Sequence, residues 1–203
     1  VDFSKYAIWK FDIDTDPQSD ETIYSDTGGG KNTIIARDGT DRIYGKDYLA
    51  LGDVISAGAG DDFAYGGTGD DRLHGGSGDD ELYGEENDDH LWGSTGDDLL
   101  NGGSGDDILD GGDGTDTADY SAETAGVSVS LAAGTATDGS SDTDTLIAIE
   151  NIVGSAFADI LVGDAGANRI EDGDGDDEVH GGAGDDTLVA ATGEYDDTFD
   201  GGD

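Results

Sequence analysis

Residues Ala57 to Asp119 read AGAGDDFAY, GGTGDDRLH, GGSGDDELY, GEENDDHLW, GSTGDDLLN, GGSGDDILD and GGDGTDTAD, nine-residue units in a row without an insertion. The sixth position of every unit is aspartate: Asp62, Asp71, Asp80, Asp89, Asp98, Asp107 and Asp116. The eighth is always apolar: Ala64, Leu73, Leu82, Leu91, Leu100, Leu109 and Ala118. A fixed period of this kind marks a repeat architecture, in which a unit buries its apolar residue only by stacking on its neighbours.

Residue types set the geometry of one unit. The Gly-Gly-x-Gly-x stretch turns tightly, because glycine takes left-handed backbone angles that a Cβ would penalise. The polar-apolar-polar triplet after the aspartate reads as a short strand with one side chain inward. Turn plus strand is half a coil, so eighteen residues complete one full turn. Loops eighteen residues apart then share an edge. Asp62, Asp80, Asp98 and Asp116 fall on one edge, and Asp71, Asp89 and Asp107 on the other.

Outward from this run the pattern recurs. A second block reads GSAFADILV from Gly154, then GDAGANRIE, DGDGDDEVH and GGAGDDTLV, with an eleven-residue unit at Ala190 to Asp200. Upstream, ARDGTDRIY (Ala36 to Tyr44) matches well, Gly45 to Ser56 is a longer variant, and TGGGKNTII (Thr27 to Ile35) is weaker, with Asn32 at the sixth position. The expected organisation is an aromatic cap or linker over 1–26, a first roll block over 27–119, a non-repeat β insert over 120–153 and a second block over 154–203. The chain begins at Val1 and ends on Gly201-Gly202-Asp203, which reads as a segment of a longer protein.

Composition says what holds such a chain together. It has 203 residues, 50 acidic against 8 basic, and a formal net charge of −42. Valine, isoleucine, leucine and phenylalanine make up only about a fifth of it, a composition that ordinarily stays unfolded. Yet there is one proline against 37 glycines, and the acids recur at fixed intervals. A polyanion with fixed spacing implies a bound cation and argues against nucleic acid or an anionic membrane as partner. Cysteine is absent, so neither a disulfide frame nor a thiolate site is available. No run of about 20 apolar residues suggests a membrane span.

Between two stacked loops the pattern leaves carbonyl oxygens flanked by carboxylates. Oxygen-only ligation with flexible geometry suits calcium better than magnesium, zinc or iron. Because each strand offers one inward residue, metal binding and folding are expected to be a single event.

The units GGTGDDRLH, GGSGDDELY and GGSGDDILD resemble the repeat-in-toxin (RTX) nonapeptide, GGxGxDxUx. The resemblance implies an all-β, right-handed parallel β-roll with several calcium ions held between same-side loops by the sixth-position aspartate and loop carbonyls. Carried onto this chain, the implied ligands are Asp62, Asp71, Asp80, Asp89, Asp98, Asp107 and Asp116, then Asp159, Asp177, Asp186 and Asp197, with Asp41 upstream. The implied carbonyl donors are Gly58, Gly60, Gly67, Gly69, Gly76, Gly78, Gly103 and Gly105. Departures fall at Gly84-Glu85-Glu86-Asn87, where Asn87 still tolerates a left-handed angle. They fall also at Phe157 in the fourth position and Asn168 in the sixth. Asp172-Gly173-Asp174-Gly175-Asp176 begins like an EF-hand, but Asp177 and Ala183 stand where that motif needs glycine and glutamate. The family further implies export from a Gram-negative bacterium by a type I system, the chain folding outside where calcium is plentiful.

The remaining features carry weaker signals. In the insert, Val127 to Leu131 alternates as a strand, Thr145 to Val153 is an apolar run suited to another, and Asp138 to Asp144 reads as the turn between them. Position nine carries Tyr65 and Tyr83 on one face and His74 and Trp92 on the other, short aromatic ladders that pack the sheet or offer a ligand surface. His74, His90 and His180 should face outward. The fifth-position aspartates, Asp61, Asp70, Asp79, Asp88, Asp97 and Asp106, should form a solvated acidic rim. Neither HExxH nor GxSxG occurs. The expected function is therefore a non-enzymatic, extracellular or cell-surface calcium module acting as spacer or assembly domain. The alternatives are a self-assembling surface-layer, filament or adhesin unit, with other copies as partners, or a carbohydrate-binding accessory that meets surface glycans.

Overall fold

The structure, a computed structural model, describes residues 9–12, 20–24, 31–45, 51–139, 142–192 and 196–202. Among these there is no helix, and the strands form two sheets of a parallel β-solenoid. In order across the sheet, the larger holds β1 (Trp9–Asp12), β3 (Asn32–Ile35), β5 (Val54–Ala59), β7 (Arg72–Ser77), β9 (His90–Thr95), β11 (Ile108–Asp113), β15 (Thr143–Ile147), β14 (Thr135–Thr137), β13 (Ser128–Ser130), β17 (Ile160–Val162), β19 (Glu178–His180) and β21 (Thr198–Asp200). The smaller holds β2 (Thr22–Tyr24), β4 (Arg42–Tyr44), β6 (Phe63–Thr68), β8 (Glu81–Glu86), β10 (Leu99–Ser104), β12 (Thr117–Asp119), β16 (Asn151–Val153), β18 (Arg169–Glu171) and β20 (Thr187–Val189). Successive repeats therefore alternate between sheets.

Register follows the sequence period. Ala64 pairs with Leu82 and Leu82 with Leu100 in one sheet, while Leu73 pairs with Leu91 and Leu91 with Leu109 in the other. Every one of these eighth-position side chains is fully buried. Ile34, Ile43 and Ile55 continue the inner row at one end, and Ile152, Leu161, Ile170 and Val179 at the other. The core is thus one side chain deep per strand. Burial in β6, β8 and β10 alternates as the period-2 pattern requires.

The insert does not interrupt either sheet. β11 pairs in parallel with β15, and β12 with β16, so the smaller sheet runs from the first block to the second through one added strand. The larger sheet gains β13 and β14, an antiparallel hairpin that pairs through β14 with β15 and through β13 with β17. Two details differ from the sequence expectation. Strand β14 was not foreseen. The run Thr145 to Val153, expected as one strand, is split by a corner at Ala148 (φ 48°), which sends Leu146 and Ile152 into opposite sheets. The sheets accept only short segments, so a long apolar run has to turn. Within 1–26, the stretch expected as an aromatic cap or linker, β1 pairs with β3 and β2 with β4. Phe3 and Tyr6, expected in that cap, lie outside the described residues.

Candidate metal centres

The sixth-position aspartates line both edges of the roll, where chain passes from one sheet to the other. Asp62, Asp80, Asp89, Asp98, Asp107 and Asp116 are buried, and each uses its two carboxylate oxygens differently. Oδ1 accepts the backbone N–H of the equivalent aspartate one turn earlier: Asp80 from Asp62 (2.9 Å), Asp98 from Asp80 (2.8 Å) and Asp116 from Asp98 (2.8 Å) on one edge. On the other edge Asp89 accepts from Asp71 (2.7 Å) and Asp107 from Asp89 (2.7 Å). The residues predicted on each edge are therefore brought together there. The ladder extends upstream, where Asp62 accepts from Asp41 (2.7 Å) and Asp41 from Glu21 (2.8 Å).

The second oxygen turns back into its own loop. A Cβ built on Gly75, Gly84, Gly93 or Gly102, the first residue of its loop, would lie 2.2–2.3 Å from Oδ2 of that loop's aspartate. Among the described residues, Oδ2 of Asp62, Asp80, Asp89, Asp98, Asp107, Asp116, Asp177 and Asp186 is buried and accepts no hydrogen bond. An unsatisfied buried polar atom costs about 1–3 kcal/mol, more when charged. Eight of them together rival the entire stability of a domain, about 5–15 kcal/mol. Burial above all, with neighbouring aspartate charges adding to it, pushes Asp62 and Asp107 up to about 7, Asp80 and Asp89 to about 8, and Asp116 to about 6. Stacked same-sign groups of this kind need a cation between them.

Carbonyl oxygens complete the donor set. The loops lie so close that a Cβ on Gly76 would meet the Gly58 carbonyl oxygen at 1.9 Å, and one on Gly78 the Gly60 carbonyl at 2.2 Å. Gly58, Gly60, Gly67, Gly69, Gly76, Gly78, Gly103 and Gly105 all have positive φ, as their expected role as carbonyl donors requires. The divergent loop keeps the same turn at some strain, since Glu85 (φ 82°) and Asn87 (φ 81°) are left-handed, as is Ser94 (φ 88°). Buried carboxylate and carbonyl oxygens, with no nitrogen or sulfur among them, fit calcium. The carboxylates would hold the ion, and the ion would neutralise them and tie adjacent turns together.

Other positions depart from this scheme. Asp159, expected as a ligand, is engaged within the protein: Oδ1 accepts from Val127 N–H (2.8 Å) and Ser155 Oγ (2.7 Å), and Oδ2 from Ser155 N–H (2.6 Å). Asn168 donates through Nδ2 to the Glu150 carbonyl (2.8 Å). Asp197 accepts from Asp177 N–H (3.2 Å) and Asp186 from Asn168 N–H (2.9 Å), so the second block preserves both edges.

Sequence reasoning also missed a second ladder. The exposed fifth-position carboxylates accept N–H groups from one turn later: Asp61 from Asp79 (3.0 Å), Asp79 from Asp97 (2.9 Å), Asp88 from Asp106 (3.0 Å) and Asp97 from Thr115 (2.9 Å). This rim straps turns in the direction opposite to the inner ladder. The repeated Asp-Asp pair was its only signal.

The aromatic residues stack as expected and further than expected. Tyr24, Tyr44, Tyr65 and Tyr83 form one column with ring centroids 5.0, 5.0 and 4.7 Å apart and planes within 12°. On the other sheet Trp92 stacks on His74 (4.2 Å) and meets His90. His180 is bonded through Nε2 to Glu178 (2.9 Å).

A parallel β-solenoid whose edges carry ladders of buried, unsatisfied carboxylates belongs to the class of metal-stapled repeat proteins. The profile of the RTX calcium-binding nonapeptide repeat matches the chain in four copies, at residues 25–47, 50–82, 83–118 and 153–188, well over half its length. The chain belongs to this family, whose repeats bind calcium, and it is a calcium-binding structural module. No curated protein matches it. Among the described residues no helix is long and apolar enough to cross a membrane.

Proposed function

We propose that calcium binding and folding are one event in this chain, that it works outside the cell, and that it serves a larger protein as a rigid, non-enzymatic spacer. The observation that carries the reading is the set of buried Oδ2 atoms on both edges, those of Asp62, Asp80, Asp98 and Asp116 and of Asp89 and Asp107, which have no partner among the described residues. Extracellular calcium modules bind at about 10⁻⁴ to 10⁻³ M, far above cytosolic calcium. RTX repeats are typical of secreted bacterial proteins, which supports the location. The non-enzymatic reading is supported by the use of the acidic side chains as straps between turns. Far-UV circular dichroism of chelator-treated protein tests the proposal: calcium in that range should convert a coil spectrum cooperatively to a β spectrum. A β spectrum persisting in excess chelator would overturn it.

Self-association is the second reading. It is favoured by the outer strands β1, β2, β20 and β21, each paired on one side only among the described residues, and by Phe199 of β21, 39% exposed. Sedimentation velocity in calcium separates the readings, since a strictly monomeric protein excludes assembly. Glycan binding draws less support from the geometry. A sugar ring packs on an open aromatic face, whereas these tyrosines cover one another's faces and present mainly their edges.

A further inference from the structure

Residue 172 breaks the rule for the first position of a loop. Where glycine holds that place, a Cβ would fall within 2.5 Å of the loop's own carboxylate, as at Gly75, Gly93 and Gly181. In the unit DGDGDDEVH the place is taken by a second aspartate, so this loop carries two inward carboxylates where the others carry one. Asp172 is 0% exposed and Asp177 3%. Oδ1 of each accepts a backbone N–H, Asp172 from Ala191 (2.8 Å) and Asp177 from Asp159 (2.8 Å), and each leaves Oδ2 buried without a partner among the described residues. Asp197, from the next loop on the same edge, supplies a third carboxylate. One oxygen from each of the three lies within 4.8 Å of the others. Oxygens bound to a common calcium at about 2.3–2.6 Å sit no more than about 5 Å apart, so the spacing suits one ion. A groove of about 440 Å³ borders the loop, with Asp172, Ser155 and Thr192 in its lining.

We propose that Asp172, Asp177 and Asp197 form a calcium site of higher charge than the repeat's other sites, the first to fill as calcium rises, and that its filling starts the ordering of the second block. The inference rests on the calcium reading above and adds a specific ligand to it. Three converging carboxylates, two of them buried, repel one another until a cation joins them, and calcium affinity rises with the number of charged ligands. The repeat pattern alone gives residue 172 no such role, since its consensus there is glycine.

Calorimetric calcium titration of the full chain tests this against Asp172→Asn, which keeps the shape, and Asp172→Gly, which restores the consensus. The wild-type protein should take up its first ion about tenfold more tightly than the rest. Both variants should lose that first phase and bind the remaining ions unchanged. Asp172→Asn superimposing on wild type, while wild type takes up calcium, would overturn the inference and leave the parent reading standing. No uptake by wild type would sink both. Should the glycine variant fail to reach a β spectrum in calcium, the asparagine variant alone decides.

Discussion

The run from Ala57 to Asp119 and the insert that follows obey one rule and then diverge. In both, a carboxylate oxygen caps a backbone N–H one layer earlier: Asp144 accepts from Asp107 (3.1 Å), and Glu150 Oε2 from Asp116 (2.8 Å), continuing the two ladders across the insert. The difference lies in the second oxygen. At Asp62, Asp80, Asp89, Asp98, Asp107 and Asp116 it is buried without a partner among the described residues, whereas at Asp144 it receives the Tyr120 hydroxyl (3.0 Å) and at Asp159 the Ser155 N–H (2.6 Å). Asp53, just upstream of the run, is closed likewise by the side chain of Asn32 (3.2 Å). On one scaffold the second oxygen is either closed by a hydroxyl or amide of the polypeptide itself or left open in a setting that suits an ion.

Several experiments would break or sharpen that contrast. The largest effect is expected from Asp98→Ala, which orphans the Asp80 N–H and removes an ion ligand. In saturating calcium it should lose about 3 kcal/mol or more in denaturant unfolding, and native mass spectrometry should count fewer ions. Asp159→Ala should destabilise as well but keep the ion count, and loss of an ion there would erase the distinction.

Next in size is the effect of pH in chelator. The folded-state values of Asp62, Asp80, Asp89, Asp107 and Asp116, about 6 to 8, lie above the ordinary 3.8. The protonated fold is therefore favoured: this contribution is complete below about 4 and is lost as pH rises through 6 to 8. The ion-free β spectrum should accordingly grow on acidification from pH 8 to 4. A spectrum that weakens steadily over that range would contradict the assigned shifts.

Tyr120→Phe leaves the buried Asp144 oxygen unmatched and should cost about 1–3 kcal/mol. Because the staple it removes is internal, the loss should be the same at low and high saturating calcium, whereas that of Asp98→Ala should grow with calcium. The smallest effect is a gain: Glu85→Gly relieves a left-handed side chain and should raise stability by about 1 kcal/mol, visible as a shifted unfolding midpoint.

The repeat was legible because its chemistry is periodic. Position eight located the core and position six located the ladders, since each recurs where an eighteen-residue turn returns the chain to the same place. The insert was not, because its partners stand 34 and 37 residues apart instead of 18, and no interval announces that Thr145 lies beside Ile108. The Tyr120–Asp144 bond and β14 were lost to the same cause. Asp172 was visible only as a departure from glycine, and its meaning needed the third dimension, where Asp177 and Asp197 converge on it. The tyrosine column was half seen, because Tyr24 and Tyr44 precede the strict period and their turns are longer than eighteen residues.

The paired straps have a consequence for how such a molecule can change in size. In the run, neighbouring turns are tied forward by the inner aspartate and, at most contacts, backward by the outer one, so successive contacts are chemically alike. Excising Gly66 to Tyr83 would bring Tyr65 against Gly84 with both sheets and both edges still matched. Excising nine residues would exchange the edges and leave every later strand in the wrong sheet. Length is thus quantised: the molecule grows or shrinks in whole turns, each worth one strand spacing of about 4.8 Å, like a ruler that can be cut only at its marks.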